Sequence, residues 1–141
     1  MKTTSIETLS IQPIGVIRSE IKSRKDAPCF YTEGAPNAVL EINPAYTDAL
    51  HRMKVGDEII VITWLHQADR EVLKVHPRGD PSNPLTGVFS TRSPDRPNPL
   101  GLHRVKVLEI KSDRLHIGPI EAIDGTPVVD IKPVVGEAKD Y

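Results

Sequence analysis

Short apolar runs separated by turn residues dominate this chain. Ile14-Gly-Val-Ile-Arg18 reads as a first strand and Val39-Leu-Glu-Ile42 as a second. Glu58-Ile-Ile-Val-Ile-Thr-Trp-Leu65 is an almost continuous apolar run rich in β-branched residues, the pattern of a strand buried on both faces. Val72-Leu-Lys-Val75 and Gly87-Val-Phe-Ser-Thr91 read as further strands. From Leu102 to Ile110 the apolar positions alternate, and the phase changes where Val105 and Val107 give way to Leu108 and Ile110. That change predicts a bulge or twist within one long strand. Ser112-Asp113 predicts a hairpin turn into Arg114-Leu-His-Ile117, and Thr126-Pro-Val-Val-Asp-Ile131 is the closing strand. One helix is expected. Asn43 is a good N-cap, Pro44 suits the first helical position, and Tyr46, Leu50 and Met53 share a stripe that Gly56 ends. Roughly six to eight strands with a short helix and many prolines predict a mostly β barrel or sandwich. The segment from Ser23 to Asn37 has no clear period and contains Pro28, Gly34 and Pro36, so a long loop is expected there.

Composition narrows the class. A chain of 141 residues fits one domain, and 26% charged with 38% hydrophobic residues fits a soluble globular protein. No apolar run approaches a membrane span, and Met1-Lys-Thr-Thr-Ser-Ile-Glu7 lacks the apolar core of a secretory signal. The single cysteine, Cys29, excludes an intramolecular disulfide, and a cytoplasmic location is expected. The five histidines, His51, His66, His76, His103 and His116, do not fall into a zinc spacing, so no metal is expected. No glycine-rich phosphate fingerprint of Rossmann or P-loop type is present. The net charge of −1 argues against binding nucleic acid by bulk electrostatics. Between Arg70 and Arg104, however, six basic residues stand against three acidic ones. That local excess permits a phosphate-contacting face and equally fits a solvated mixed surface.

Three segments carry candidate chemistry. Gly87-Val-Phe-Ser-Thr-Arg-Ser-Pro-Asp-Arg-Pro-Asn-Pro-Leu-Gly101 places Arg92 and Arg96 among Pro94, Pro97 and Pro99. Proline fixes φ and removes a backbone donor, so the segment is a stiff loop. Such a loop can present planar guanidinium forks to a carboxylate or phosphate at low entropic cost. The alternative is a rigid surface turn whose arginines make structural ion pairs. His66 and Gln67 stand where the long apolar strand leaves the core, a place for ligand contacts or for capping. Glu121-Ala-Ile-Asp-Gly-Thr-Pro127 is a tight turn whose carboxylates suit a ribose or ammonium group, or a structural Asx turn.

Gly87 to Gly101 and Asp124-Gly-Thr-Pro-Val-Val-Asp-Ile-Lys-Pro133 resemble the two signature segments of the TsaA-like domain family, which includes the TrmO-type tRNA methyltransferases. Gly15-Val-Ile-Arg-Ser19 and Trp64-Leu-His-Gln67 fit the same pattern, so four separated blocks match in order. The resemblance implies one domain over residues 1–141, folded as a single-sheeted antiparallel β-barrel with one or two short helices. It implies S-adenosylmethionine as cofactor, a homodimer with cofactor sites near the subunit interface, and methylation of N6 of threonylcarbamoyladenosine at position 37 of tRNA. By this resemblance the cofactor contacts fall on His66, Gln67, Arg92, Leu102 and the turn Ile120, Glu121 and Asp124, while Arg96 and Asn98 shape the site or touch substrate. The family often has a polar Arg-Gln-Gly triplet after the early proline of the first long loop. Here Pro28 is followed by Cys29-Phe30-Tyr31, so Phe30 or Tyr31 is expected to stack on adenine or on a target base instead. Longer family members carry an additional C-terminal domain. A small-molecule acceptor and a non-catalytic cofactor-binding module are the alternative functions.

Overall fold

The structure is a computed structural model and describes residues 7–27 and 34–136. Its strands are β1 (Gly15–Arg18), β2 (Ala38–Ile42), β3 (Glu58–Trp64), β4 (Lys74–Val75), β5 (Thr86–Gly87), β6 (Leu100–Lys111), β7 (Arg114–Gly118) and β8 (Pro127–Pro133). Six of them form a closed barrel in the order β1-β2-β7-β6-β3-β8, with every neighbouring pair antiparallel. This is the single-sheeted antiparallel barrel expected from the resemblance. Closure leaves no unpaired sheet edge, which suits a short chain with few helices to cover one.

Alternation along the strands fills the interior. Ile17, Leu40, Ile42, Ile59, Val61, Val105, Val107, Leu115, Ile117 and Val128 point into one core, joined by Ile120 and Ala122 from a loop. Each such aliphatic side chain contributes roughly 1.5–3 kcal/mol by leaving water. The β-branched run of β3 is central to the sheet, paired to β6 along its whole length and to β8 on its other side. Ile60, on the outer face, is buried as well, so the expectation of burial on both faces holds there. The phase change in β6 is a bulge at Leu108, where the register with β7 shifts between Val107 and Glu109. Ser112 adopts φ 56° in the two-residue turn that joins Lys111 to Arg114.

The seam between β1 and β8 is the shortest in the barrel, with Gly15 opposite Val128 and Val16 opposite Pro127. Backbone bonds from the adjoining loops lengthen it: Ile17 N–H to Thr126 O at 2.9 Å, Gly125 N–H to Ile17 O at 2.7 Å and Asp124 N–H to Ile21 O at 2.7 Å.

Two expectations need correction. The helix after Asn43 is a 3-10 helix confined to Pro44–Leu50, although the Asn43 side chain does cap it by accepting from Ala45 N–H at 3.0 Å. Arg52 takes φ 73° and unwinds the chain before Met53, so the apolar stripe ends in a turn. The two strands expected around residues 72–75 and 87–91 shrink to β4 and β5, a two-stranded ribbon outside the barrel. Pro77, Pro81 and Pro84 lie between them and remove ladder donors, and Val88–Ser90 coils into a 3-10 turn.

Strand direction then fixes where the loops go. β1, β3 and β7 run toward one end of the barrel and β2, β6 and β8 run away from it. Segments 19–37, 65–99 and 119–126 therefore all emerge at that end, and the 43–57 connection and the 112–113 turn close the other.

Candidate functional site

The 119–126 loop crosses the loop end of the barrel. Ile120 anchors it, fully buried, with its N–H donating to Pro36 O at 2.9 Å. One residue later the Glu121 side chain turns inward to meet His103 of β6, with Nδ1 and Oε1 2.7 Å apart. The other ring nitrogen, Nε2, lies 2.7 Å from Thr63 Oγ1 on β3. Thr63 and His103 are both buried. Gly101 makes room for this contact, because a Cβ there would lie 2.5 Å from Thr63 Oγ1 and 2.8 Å from His103 Nε2. The second carboxylate oxygen, Glu121 Oε2, is buried and has no hydrogen-bond partner among the described residues. A buried acceptor left unpaired is costly and asks for an explanation.

Asp124 is different, because both its oxygens are engaged. Oδ1 accepts from Ser19 N–H at 3.0 Å, and Oδ2 lies 3.3 Å from Lys22 Nζ. The Ser19 bond, opposed by burial and aided by Lys22 and Arg18, holds its carboxyl below the ordinary aspartate range. Gly125 follows with φ 85°, and a Cβ there would stand 4.0 Å from His66 Nε2. His66 therefore borders this turn from the end of β3.

The proline-rich loop forms the adjoining wall. Arg96, expected to shape the site or touch substrate, holds its own loop together: Nε donates to Ser93 O at 2.7 Å, and Nη2 donates to Val88 O at 2.8 Å and Thr91 O at 2.7 Å. Its guanidinium fork is thus occupied by main-chain carbonyls. Asp95 ties this loop to the start of its own 65–99 segment and to the 19–37 segment. It accepts from Asp69 N–H at 2.8 Å and pairs with Arg24 at 3.0 Å, and Arg24 also donates to Gln67 O at 3.3 Å. Burial pushes the Asp95 carboxyl up, but the bonds from Arg24 and Asp69 together outweigh it and hold it low. Arg70 donates to Pro97 O at 2.6 Å and Asn98 Oδ1 at 3.1 Å, with its guanidinium 5.0 Å from the Trp64 ring centroid.

The sequence-derived residues thus fall into groups. His66, Glu121 and Asp124 all lie at the loop end of the barrel, where His66 borders the Asp124-Gly125 turn. Gln67, Arg92, Arg96 and Asn98 belong to the adjoining loops, with Arg92 on an exposed stretch. Ile120 has its side chain in the core, so only its main chain can face a ligand. Leu102 is 46% exposed and alternates with the inward-facing Gly101 and His103, which places it on the outer wall. Phe30 and Tyr31 lie outside the described residues. Thr63 and His103 were not singled out as site residues. A polar residue at an inward position between Gly101 and Val105 was the available signal. A cavity of about 540 Å³ lies at the opposite end, lined by Tyr46, Leu50, Met53 and Ile131 among others. Among the described residues, only the loop end combines converging loops with an orphaned buried oxygen. Among the described residues no group of His, Cys, Asp and Glu is arranged to hold a metal, and no helix is long and apolar enough to cross a membrane.

Known proteins share this layout. The model of the tRNA-methyltransferase O N-terminal domain matches residues 16–140, which takes in the whole barrel except Gly15 and all three loop-end segments. The chain belongs to this family. A relative named "Probable S-adenosyl-L-methionine-binding protein", from Methanothermobacter thermautotrophicus, is 44% identical over 125 residues, 89% of each chain. An S-adenosyl-L-methionine-binding protein of Archaeoglobus fulgidus is 41% identical over 122 residues, 86% of each chain. Among solved structures, TrmO from Pseudomonas aeruginosa superposes with a TM-score of 0.74 at 30% identity, over 96% of this chain and 61% of that one. The chain thus spans about three fifths of the solved TrmO chain. Within this tRNA-methyltransferase O N-terminal domain, the 64–67 and 87–101 blocks lie at the barrel mouth, and the 15–19 and 124–133 blocks are strands β1 and β8 with the turns that reach it.

Proposed function

We propose that the chain is an S-adenosylmethionine-dependent methyltransferase that methylates N6 of threonylcarbamoyladenosine at position 37 of tRNA. Family membership and relatives named for S-adenosylmethionine binding support the cofactor. The observation that carries the site is the orphaned Glu121 Oε2 at the barrel mouth. A cofactor bearing an ammonium and ribose hydroxyls supplies the donor this oxygen lacks. Glu121, His66, the Ile120 main chain and Arg92 would hold it there, with the Arg92 guanidinium suited to the methionine carboxylate. Gln67 and Asp124 border the same mouth, and Asp124 acts through the turn it braces. When bound, the cofactor supplies an activated methyl group on a sulfonium. The protein's task is then to hold the acceptor nitrogen in line and exclude water. No strong general base is required for that task. Phe30 and Tyr31 are proposed to stack on adenine or on the target base.

A homodimer is part of this reading, supported by exposed Leu100 and Leu102 on the outer wall of β6 and by Phe89, 85% exposed on the loop that flanks the mouth. Asn98 is proposed to act at the substrate side of the same loop, and Arg96 to set its shape. A small-molecule acceptor is the second reading. On the barrel wall Arg18 and Arg114 pair with Glu41, Arg104 with Glu58 and Lys132 with Asp130, which leaves less unbalanced positive charge for a polyanion.

Calorimetric titration with S-adenosylmethionine tests the cofactor: saturable binding is expected, and Arg92→Ala should lose most of it. Unchanged affinity in that variant removes Arg92 from the site. Mass analysis of tRNA nucleosides from cells lacking the protein tests the acceptor. Loss of the methylated threonylcarbamoyladenosine supports tRNA, and an unchanged profile points to a small molecule.

A further inference from the structure

The chain Thr63–His103–Glu121 is more than a buried polar contact. A carboxylate only accepts, so His103 Nδ1 carries the hydrogen and donates to Glu121 Oε1. The ring Nε2 is engaged with the Thr63 hydroxyl, which donates to it when the ring is neutral. Both ring nitrogens are thereby used within the protein, and neither is left to abstract a proton from a substrate. What the arrangement does is fix a carboxylate by one oxygen and leave the other bare.

The remaining carboxylates of the site show that this is not forced by the fold. Asp124 has a partner for each oxygen, and Asp95 is held by Arg24 and by Asp69 N–H. Only Glu121 keeps a buried oxygen without a partner among the described residues. Its side chain is 20% exposed while that of His103 is 4% exposed, so the carboxylate sits where the packed interior meets the mouth. His103 is set on a barrel strand rather than a loop, and Thr63 comes from the neighbouring strand in register with Gly101. The rigid sheet thus dictates where a loop carboxylate points. Preset orientation of this kind lowers the ordering cost of binding.

We infer that His103 is a positioning residue for S-adenosylmethionine: it holds Glu121 so that Oε2 accepts a hydrogen bond from an N–H or O–H group of the bound cofactor. The inference rests on the cofactor reading above and adds to it a residue that acts through another. Its donor is the cofactor's ammonium or a ribose hydroxyl.

Calorimetric titration of the full chain with S-adenosylmethionine tests it, using wild type, His103→Leu, His103→Asn, Glu121→Ala and the double variant His103→Leu/Glu121→Ala, each first checked for cooperative unfolding. His103→Leu should weaken binding about tenfold or more, the loss typical of a bond to a charged group. His103→Asn keeps an N–H toward Glu121 and should recover most of that loss. In the Glu121→Ala background, removing His103 should cost nothing further, because its effect passes through Glu121. Wild-type affinity in a folded His103→Leu, equal losses in the Leu and Asn variants, or additive losses in the double variant would each overturn the role. If His103→Leu does not fold, Thr63→Val replaces it, with weakened binding expected and wild-type affinity overturning the role. Repeating the titration with 5′-methylthioadenosine identifies the donor: a penalty that persists assigns a ribose hydroxyl, and one that vanishes assigns the ammonium. Wild type that fails to bind S-adenosylmethionine overturns the cofactor reading itself and this role with it, an outcome distinct from every variant-specific result.

Discussion

Gly101→Ala is the sharpest test of how the barrel mouth is packed. Gly101 lies in β6 opposite Thr63 and does not adopt a positive φ, so alanine is conformationally acceptable there. On backbone entropy alone the substitution would stabilise the strand by roughly 0.5–1 kcal/mol. The new Cβ, however, would sit 2.5 Å from Thr63 Oγ1, 2.8 Å from His103 Nε2 and 3.1 Å from Leu65 Cδ2. The first two are far inside ordinary contact, and both atoms belong to buried side chains with little room to retreat. Overpacking of this kind costs about 1–3 kcal/mol. Separating Thr63 from His103 adds about 1–3 kcal/mol for buried polar atoms left unpaired. The net expectation is a loss of about 1–5 kcal/mol, or a fall in Tm of about 3–20 °C for a chain of this size. Thermal unfolding followed by circular dichroism measures it. The double variant Gly101→Ala/Thr63→Ala removes the nearest obstructing atom and should lose less than the sum of the two single variants. A Tm that is unchanged or raised in Gly101→Ala would refute the packing argument, because the entropic gain would then have met no opposing contact.

Arg96→Ala should cost about 2–4 kcal/mol in urea unfolding, since three carbonyls of the 88–93 turn lose their shared donor. Arg96→Lys should recover only part of it, because an ammonium on a flexible stem does not reproduce the planar fork; full recovery would contradict the assigned geometry. Asp124 sets a pH dependence. Its folded-state carboxyl lies below the unfolded value near 3.8, so its contribution is present at neutral pH and is lost as pH falls through the folded value. Below about pH 4 the wild type should therefore lose stability more steeply than Asp124→Asn, and parallel Tm-against-pH curves would remove that role.

Much of the barrel was legible because its signal is local. Two-residue alternation, the β-branched run of β3, the phase change in β6 and the Ser112-Asp113 turn each follow from neighbouring residues alone. The helix after Asn43 misled because cap, proline and stripe are shared by α and 3-10 geometry, and the stop at Arg52 depends on a φ that arginine does not announce. The proline-rich loop was recognised as stiff, but the partners of Arg96 are carbonyls, which every residue carries and no sequence pattern marks. Asp124 and Glu121 looked equivalent in one turn. What separates them is Ser19 and Lys22 on one side and His103 on the other, residues brought together only by barrel closure. His103 was visible as one inward polar position among apolar ones, and its meaning depends on Thr63, forty residues away in sequence.

The short seam between β1 and β8 gives the barrel a hoop with a clasp. Breathing should begin there, since two residue pairs and a few loop bonds must break rather than a long ladder. The clasp is fastened at the loop end, where Asp124 and Gly125 grip Ser19, Ile21 and Ile17 across the join. Anything that braces the Asp124 turn therefore slows the opening of the whole hoop. In hydrogen-exchange terms, the Ile17 and Gly125 amides are reporters on the seam, and a molecule lodged in the mouth should register as added protection along a join that it need not touch.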